Sequence, residues 1–175
     1  MLQSVKTRAV TPNDLEAISR LHEEVFGPGR FARSAYRVRE GKGLLSRFCR
    51  LADLGGRLIS ALRLTEVTIG GKGGAALLGP LAVHPEFKGN GYGRRLVSEA
   101  LQEMKSAGLK IVVLVGDEPY YGKLGFKPVP PGQIIFPGPV NPARILAAEL
   151  EEGSLGQYRG LIQVAAARPG HTRSP

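Results

Sequence analysis

The chain has 175 residues and carries 24 lysines and arginines against 15 acids, a formal charge of +9. That length suits one domain burying roughly 70% of its unfolded surface, and 42% hydrophobic with 22% charged residues describes an ordinary globular chain. The single cysteine, Cys49, excludes an internal disulfide and a cysteine-based zinc cluster, and no apolar run approaches the roughly 18 residues that span a bilayer. The opening MLQSVKTRAV lacks the apolar core of a signal peptide, which sets a cytoplasmic expectation. One domain is expected over residues 1–165, followed by a frayed polar tail over 166–175.

In chain order, Thr11, Pro12 and Asp14 supply an N-cap, an N1 proline and a first-turn acid. Leu15, Ile18, Leu21, Val25 and Phe26 recur at helical spacing, so a helix is expected over 12–26, ended by GPG. A second, basic helix is expected at about 31–40. Many cations gather here: Arg30, Arg33, Arg37, Arg39, Lys42, Arg47, Arg50, Arg57 and Arg63. They read first as a solvated face and second as a phosphate-binding rim. A nucleic-acid surface would interleave aromatics with the cations, and only Phe31, Tyr36 and Phe48 are available, so that reading is disfavoured.

From Arg57, RLISALRLTEVTI reads as a long strand, and IGGKGGAA as a turn into a hairpin partner, AALLGPLAV. The turn has no Ser or Thr after its lysine, so it is not a P-loop. Leu81, Ala82 and Val83 close that strand. After a glycine loop, Arg94 to Ala107 carries Leu96, Val97, Ala100, Leu101, Met104 and Ala107 on one helical face, with Gly108 as its C-terminal cap. IVVLV (111–115) then reads as a parallel strand buried on both faces. Pro80 donates no ladder hydrogen bond, so the strand that contains it must part from a neighbour nearby. The backbone groups left facing that gap need partners, which a ligand with amides of its own could provide.

The loop KGNGYGRR places Gly89, Gly91 and Gly93 in alternation before a helix N-terminus, where unpaired N–H groups and the helix dipole favour phosphate. Glycines there remove Cβ atoms that would hold an anion away, and Lys88, Arg94 and Arg95 add positive charge. The bland alternative is a flexible turn with a capping glycine. A dinucleotide loop fits less well: the spacing is G-x-G-x-G, HPEFK separates strand from glycines, and only Asp117, placed for a ribose, favours it.

PLAVHPEFKGNGYGRRL resembles the acetyl-CoA-binding motif of the GNAT superfamily of N-acetyltransferases, with Lys88 in place of the usual Arg or Gln and Gly91 and Gly93 as its glycines. VGDEPYYGKLGF resembles the family's closing signature, which picks out Tyr121 four residues before the Gly125-Phe126 pair. With FPGPVNPARILAAEL the whole is similar to a bacterial branch of mostly uncharacterised acetyltransferases.

The resemblance implies an α/β fold with a central splayed sheet flanked by helices, and acetyl-CoA as co-substrate without a metal. It also implies an amine acceptor, small molecule or peptide, no membrane partner, and a monomer or homodimer. It places the cofactor at Leu81, Ala82, Val83, Lys88, Gly89, Asn90, Gly91, Tyr92, Gly93 and Arg94. An amide near Ala82 or Val83 would stabilise the oxyanion, and Tyr121 would protonate the departing sulfur. For the base, Glu66 comes first, with Glu118, Asp117, Glu23, Glu24 and His84 behind it, and a water relay could replace them all. Without the resemblance Tyr121 would read as core, and Tyr120 reads as packing. The rival from another class is a non-catalytic CoA-binding sensor. The segment after Phe126, where acceptor specificity is expected, carries no readable motif.

Overall fold

The computed structural model describes residues 4–27 and 45–165. The basic helix expected at 31–40 and the expected tail lie outside the described residues. Strand β1 (Val5–Ala9) leads through a 3-10 turn (Pro12–Asp14) into helix α1 (Leu15–Phe26), close to the expected span. The turn is closed by Asp14, whose carboxylate accepts from the Thr11 N–H at 2.8 Å and pairs with Arg8 at 2.7 Å. The hydrogen bond from Arg8 holds the Asp14 carboxyl well below the usual carboxylate range.

Strands β2 (Arg50–Leu54), β3 (Arg57–Ile69) and β4 (Lys72–Val83) follow as antiparallel neighbours. The β3–β4 hairpin turns at Gly70 and Gly71, with φ of 58° and 84°. Those left-handed values match the twist of two paired strands and favour glycine. Helix α2 (Tyr92–Ser106) and strand β5 (Ile111–Val115) complete a unit in which β5 runs parallel to β4. Gly108 ends α2 as expected: its N–H reaches Lys105 O and the Leu109 N–H reaches Met104 O, a Schellman closure.

The rest of the chain is a short helix α3 (Glu118–Tyr121) and strands β6 (Lys127–Pro128), β7 (Ile134–Ile135), β8 (Ile145–Glu149) and β9 (Gly160–Val164). The sheet order is β1-β2-β3-β4-β5-β8-β6, with β9 joined to β3 beyond β2 and β7 paired to β9. Two cores lie on opposite faces. Val112 and Leu114 of β5 point to one, with Leu96, Val97 and Met104 of α2. Ile111 and Val113 point to the other, with Phe136, Tyr158 and Ile162 from the segment after Phe126. That alternation is why IVVLV is apolar at every position. A third, small cluster seats Leu21 of α1 on Ala61 of β3 and Ala82 of β4.

Candidate functional site

The sheet forks where Pro80 led one to expect. β4 pairs with β5 only at Ala75, Ala76 and Leu77, opposite Ile111, Val112 and Val113. Toward β3 the pairing continues, with Leu62 opposite Leu81 and Leu64 opposite Leu78, so Gly79 and Pro80 bulge against the single Arg63. Past the bulge, the His84 N–H bonds Ile59 O at 2.8 Å. Antiparallel alternation then turns the main-chain groups of Ala82 to β3 and those of Leu81 and Val83 to the open edge. Of the three strand residues expected to face a ligand, Ala82 is the one whose main chain turns to β3, and its carbonyl also accepts from Ser60 Oγ at 2.8 Å.

The glycine loop stands beside the fork. Lys88, Gly89, Asn90 and Gly91 are exposed, and Gly89 and Gly91 have φ of 84° and 81°. Gly91 is the N-cap, so α2 begins at Tyr92 rather than at Arg94. The Arg95 N–H donates to Gly91 O at 3.0 Å, which leaves the N–H groups of Tyr92, Gly93 and Arg94 before the first turn of the ladder. Asn90 Nδ2 ties the loop to Phe87 O at 3.2 Å, and the Tyr92 ring packs on Phe87.

Gly93 departs from the expectation of an exposed amide strip: it is buried, and a Cβ there would stand 2.9 Å from the Tyr120 hydroxyl, 3.1 Å from Val83 Cγ2 and 3.2 Å from Leu81 Cδ2. Its missing side chain lets helix, strand and phenol meet.

Both tyrosines of α3 belong to this corner. The Tyr120 hydroxyl lies by Gly93, Leu81 and Val83, with the Arg94 guanidinium 5.4 Å from its ring centroid. Burial pushes the Tyr120 phenol up, and Arg94 works against that rise. Tyr121 lies against Gly116, just past the end of β5, where a Cβ would fall 2.7 Å from its ring. It meets Phe126 edge-on at 5.8 Å and Tyr120 at 4.8 Å. Both rings thus stand beside the end of β5, and the Tyr120 hydroxyl reaches Gly93 at the start of α2.

The acids separate. Glu66 stands opposite Ala76, in the part of β4 still paired to β5, so the register keeps it below the fork. Asp117 pairs with Arg144 at 3.2 Å and its carbonyl receives the Tyr120 and Tyr121 N–H groups, a helix-starting role rather than a ribose site. Glu118 and Glu23 are exposed.

Glu24 and His84 come together: Glu24 Oε1 is 3.2 Å from His84 Nε2, on the face of β4 that α1 covers. His84 is a loop residue as expected, just past β4, but a buried one, and neither its chain position nor that of Glu24, 60 residues earlier, could signal the pairing. On that same face α1 roofs a cavity of about 280 Å³ lined by Leu15, Ile18 and His22 with Cys49, Ala61 and Arg63. No group of three or more metal-ligating side chains occurs among the described residues.

Comparison with known proteins bears on the family and the fold. Residues 6–129 match the family model described as an acetyltransferase (GNAT) domain. The uncharacterised N-acetyltransferase YjhQ of Escherichia coli is 28% identical over 119 residues, 66% of each chain. The uncharacterised N-acetyltransferase YhbS of E. coli is 26% identical over 157 residues, 89% of this chain and 93% of that one. The crystal structure of E. coli YhbS in complex with CoA superposes with a TM-score of 0.80, covering 94% of this chain and 92% of that one at 24% identity. A Brucella melitensis GNAT acetyltransferase in complex with acetyl-CoA gives 0.72, covering 94% and 97%, also at 24% identity.

Proposed function

This chain belongs to the GNAT family of N-acetyltransferases, and from that premise we propose that it moves an acetyl group from acetyl-CoA to the amine of a small molecule or peptide by direct attack, with Tyr121 as general acid. The observation that carries the reading is the fork: β4 leaves β5 after Leu77 and turns the main chain of Leu81 and Val83 into the gap. A pantetheine arm has amides that can take the place of the missing strand. The relatives with bound CoA and acetyl-CoA support that choice of ligand.

The roles follow from the chemistry of thioester aminolysis. The N–H groups opening α2, with Lys88, Gly89, Asn90 and Gly91 before them and Arg94 after, hold the pyrophosphate at the positive end of the helix. The Val83 N–H meets the oxygen that becomes negative when the amine adds to the carbonyl carbon. As the C–S bond breaks, the Tyr121 hydroxyl gives its proton to the sulfur. A phenol of pKa about 10 can protonate a thiolate whose conjugate acid lies near 8.5 only when it is held beside it. Tyr120 forms the wall between α2 and β4.

Acetyl-CoA turnover against a broad amine panel, followed by thiol release, tests the reading. Tyr121→Phe keeps the ring on Gly116 and Phe126, and is expected to lower kcat by roughly 10² to 10⁴ with CoA affinity and melting temperature unchanged. Tyr120→Phe should turn over near the parent rate. Full activity in Tyr121→Phe would remove the acid assignment, and a parent that binds CoA by calorimetry yet acetylates no amine would favour a sensor.

A further inference from the structure

Proton removal from the acceptor has no group among those already placed at the fork, and the strand end offers one. Ala82 and His84 alternate onto the face covered by α1, while Leu81 and Val83 project to the α2 face, where they meet Gly93. On the α1 face, His84 Nδ1 accepts from the Glu86 N–H at 3.2 Å. A neutral imidazole whose Nδ1 accepts carries its proton on Nε2. That Nε2 lies 3.2 Å from Glu24 Oε1 and 3.3 Å from an Arg57 guanidinium nitrogen, and Arg57 pairs in turn with Glu86 at 3.3 Å. The His84 side chain is 11% exposed whereas the Glu24 side chain is 56% exposed. The buried partner therefore holds one carboxylate oxygen, and the carboxylate remains open to solvent beside the residue that follows Val83.

We propose that Glu24 binds the acceptor as its ammonium ion and takes its proton, with His84 as the positioning residue that aims the carboxylate through Nε2–H. The inference rests on the acetyltransferase reading. One proton passes from R-NH3⁺ to Glu24, directly or through one water, leaving R-NH2. The nitrogen lone pair then forms the N–C bond, the C–S bond breaks, and sulfur receives the proton held by Tyr121. The second proton lost from nitrogen restores that phenol, and the first leaves Glu24 for solvent. In this proposal His84 acts through Glu24 rather than as the base, with Nδ1 accepting from the Glu86 N–H and Nε2 facing the Glu24 carboxylate. The titratable group against Glu24 is His84, just past the end of β4; beyond the imidazole lie Arg57 at the start of β3 and its partner Glu86, and on the helix of Glu24 itself stand Glu23 and Arg20, the latter paired with Glu16. The carboxylate thus has the buried imidazole behind it and open solvent ahead.

The test uses the whole chain, acetyl-CoA and primary alkylamines of pKa about 10, of which roughly one molecule in a thousand is neutral at pH 7. Glu24→Gln should lower kcat at pH 7 by roughly 10² or more, with CoA affinity and melting temperature at parent values. Its rate should climb about tenfold per pH unit toward that of the parent between pH 7 and 9.5, as solvent supplies the neutral amine. His84→Gln, which retains an N–H donor, should keep more activity than His84→Leu. A Glu24→Gln protein with the parent rate at pH 7, or one slowed equally at every pH, overturns the proposal and leaves the acetyltransferase reading standing. A parent that binds CoA but acetylates none of the amines removes that reading, and this one with it.

Discussion

A Cβ added at Gly93 would stand 2.9 Å from the Tyr120 hydroxyl, whereas one added at Gly91 would meet nothing within 4 Å. The two glycines, two positions apart in one loop, are therefore needed for different reasons. Gly91 is a matter of backbone: its φ of 81° is costly for any residue with a Cβ and worst for a branched one. Gly91→Val is expected to leave the protein folded and weaken CoA tenfold or more, about 1.4 kcal/mol, measured by calorimetry. Unchanged affinity would remove the loop from the CoA site. Gly93 is a matter of space. Gly93→Ala should cost about 1 to 3 kcal/mol of stability through crowding. Adding Tyr120→Phe, which removes the oxygen in the way, should return part of that loss in denaturant titrations. Two substitutions that simply add would show that Tyr120 is not what the new methyl meets.

The start of α1 shows how a cap links sequence to pH. Arg8 on β1 and the Thr11 N–H both favour the ionised form of Asp14, so its carboxyl in the folded chain lies below its unfolded value. A group depressed in this way stabilises the fold above the unfolded pKa of about 3.9 and stops doing so as the pH falls through the folded value. Asp14→Asn should cost about 1 kcal/mol at pH 7, and the gap in melting temperature from the parent should close progressively below pH 4. A gap independent of pH would mean that shape rather than charge matters there.

This cap was legible in the sequence, as were the bounds of β3 and the fork at Pro80, because each depends on residues adjacent in the chain. The start of α2 was misplaced because glycine at 93 looks unhelical, and its reason for being glycine is a tyrosine 27 residues later. Strands β6 and β7 are two residues each and carry no period, so the face they cover could not be foreseen. For Glu24 and His84 there is no local pattern at all: their meeting is made by α1 crossing the end of β4.

Over the whole molecule the net charge is +9, and several of the individual cations are held locally. Arg50 is held by Glu99 and Glu103, Arg57 by Glu86, and Arg47 lies over the Phe48 ring. Thr7, Arg50 and Arg95 together keep the Glu99 carboxyl low although burial works to raise it. Duplex DNA should accordingly bind weakly and be released steeply by salt, which filter binding across a salt series would show, and a salt-resistant, sequence-selective complex would contradict it. The 13 residues of β3 have a different consequence. Leu62 and Leu64 belong to the core under α2, Val67 and Ile69 to the one closed by β7 and β9, and the pairing with β4, shifted in register at Arg63 and again between Val67 and Ile69, runs through both. Because the two halves share this one strand, the protein should lose both in one cooperative step. Amide hydrogens along β3 should then exchange only through global unfolding, all reporting one free energy, while those of β6 exchange through local opening.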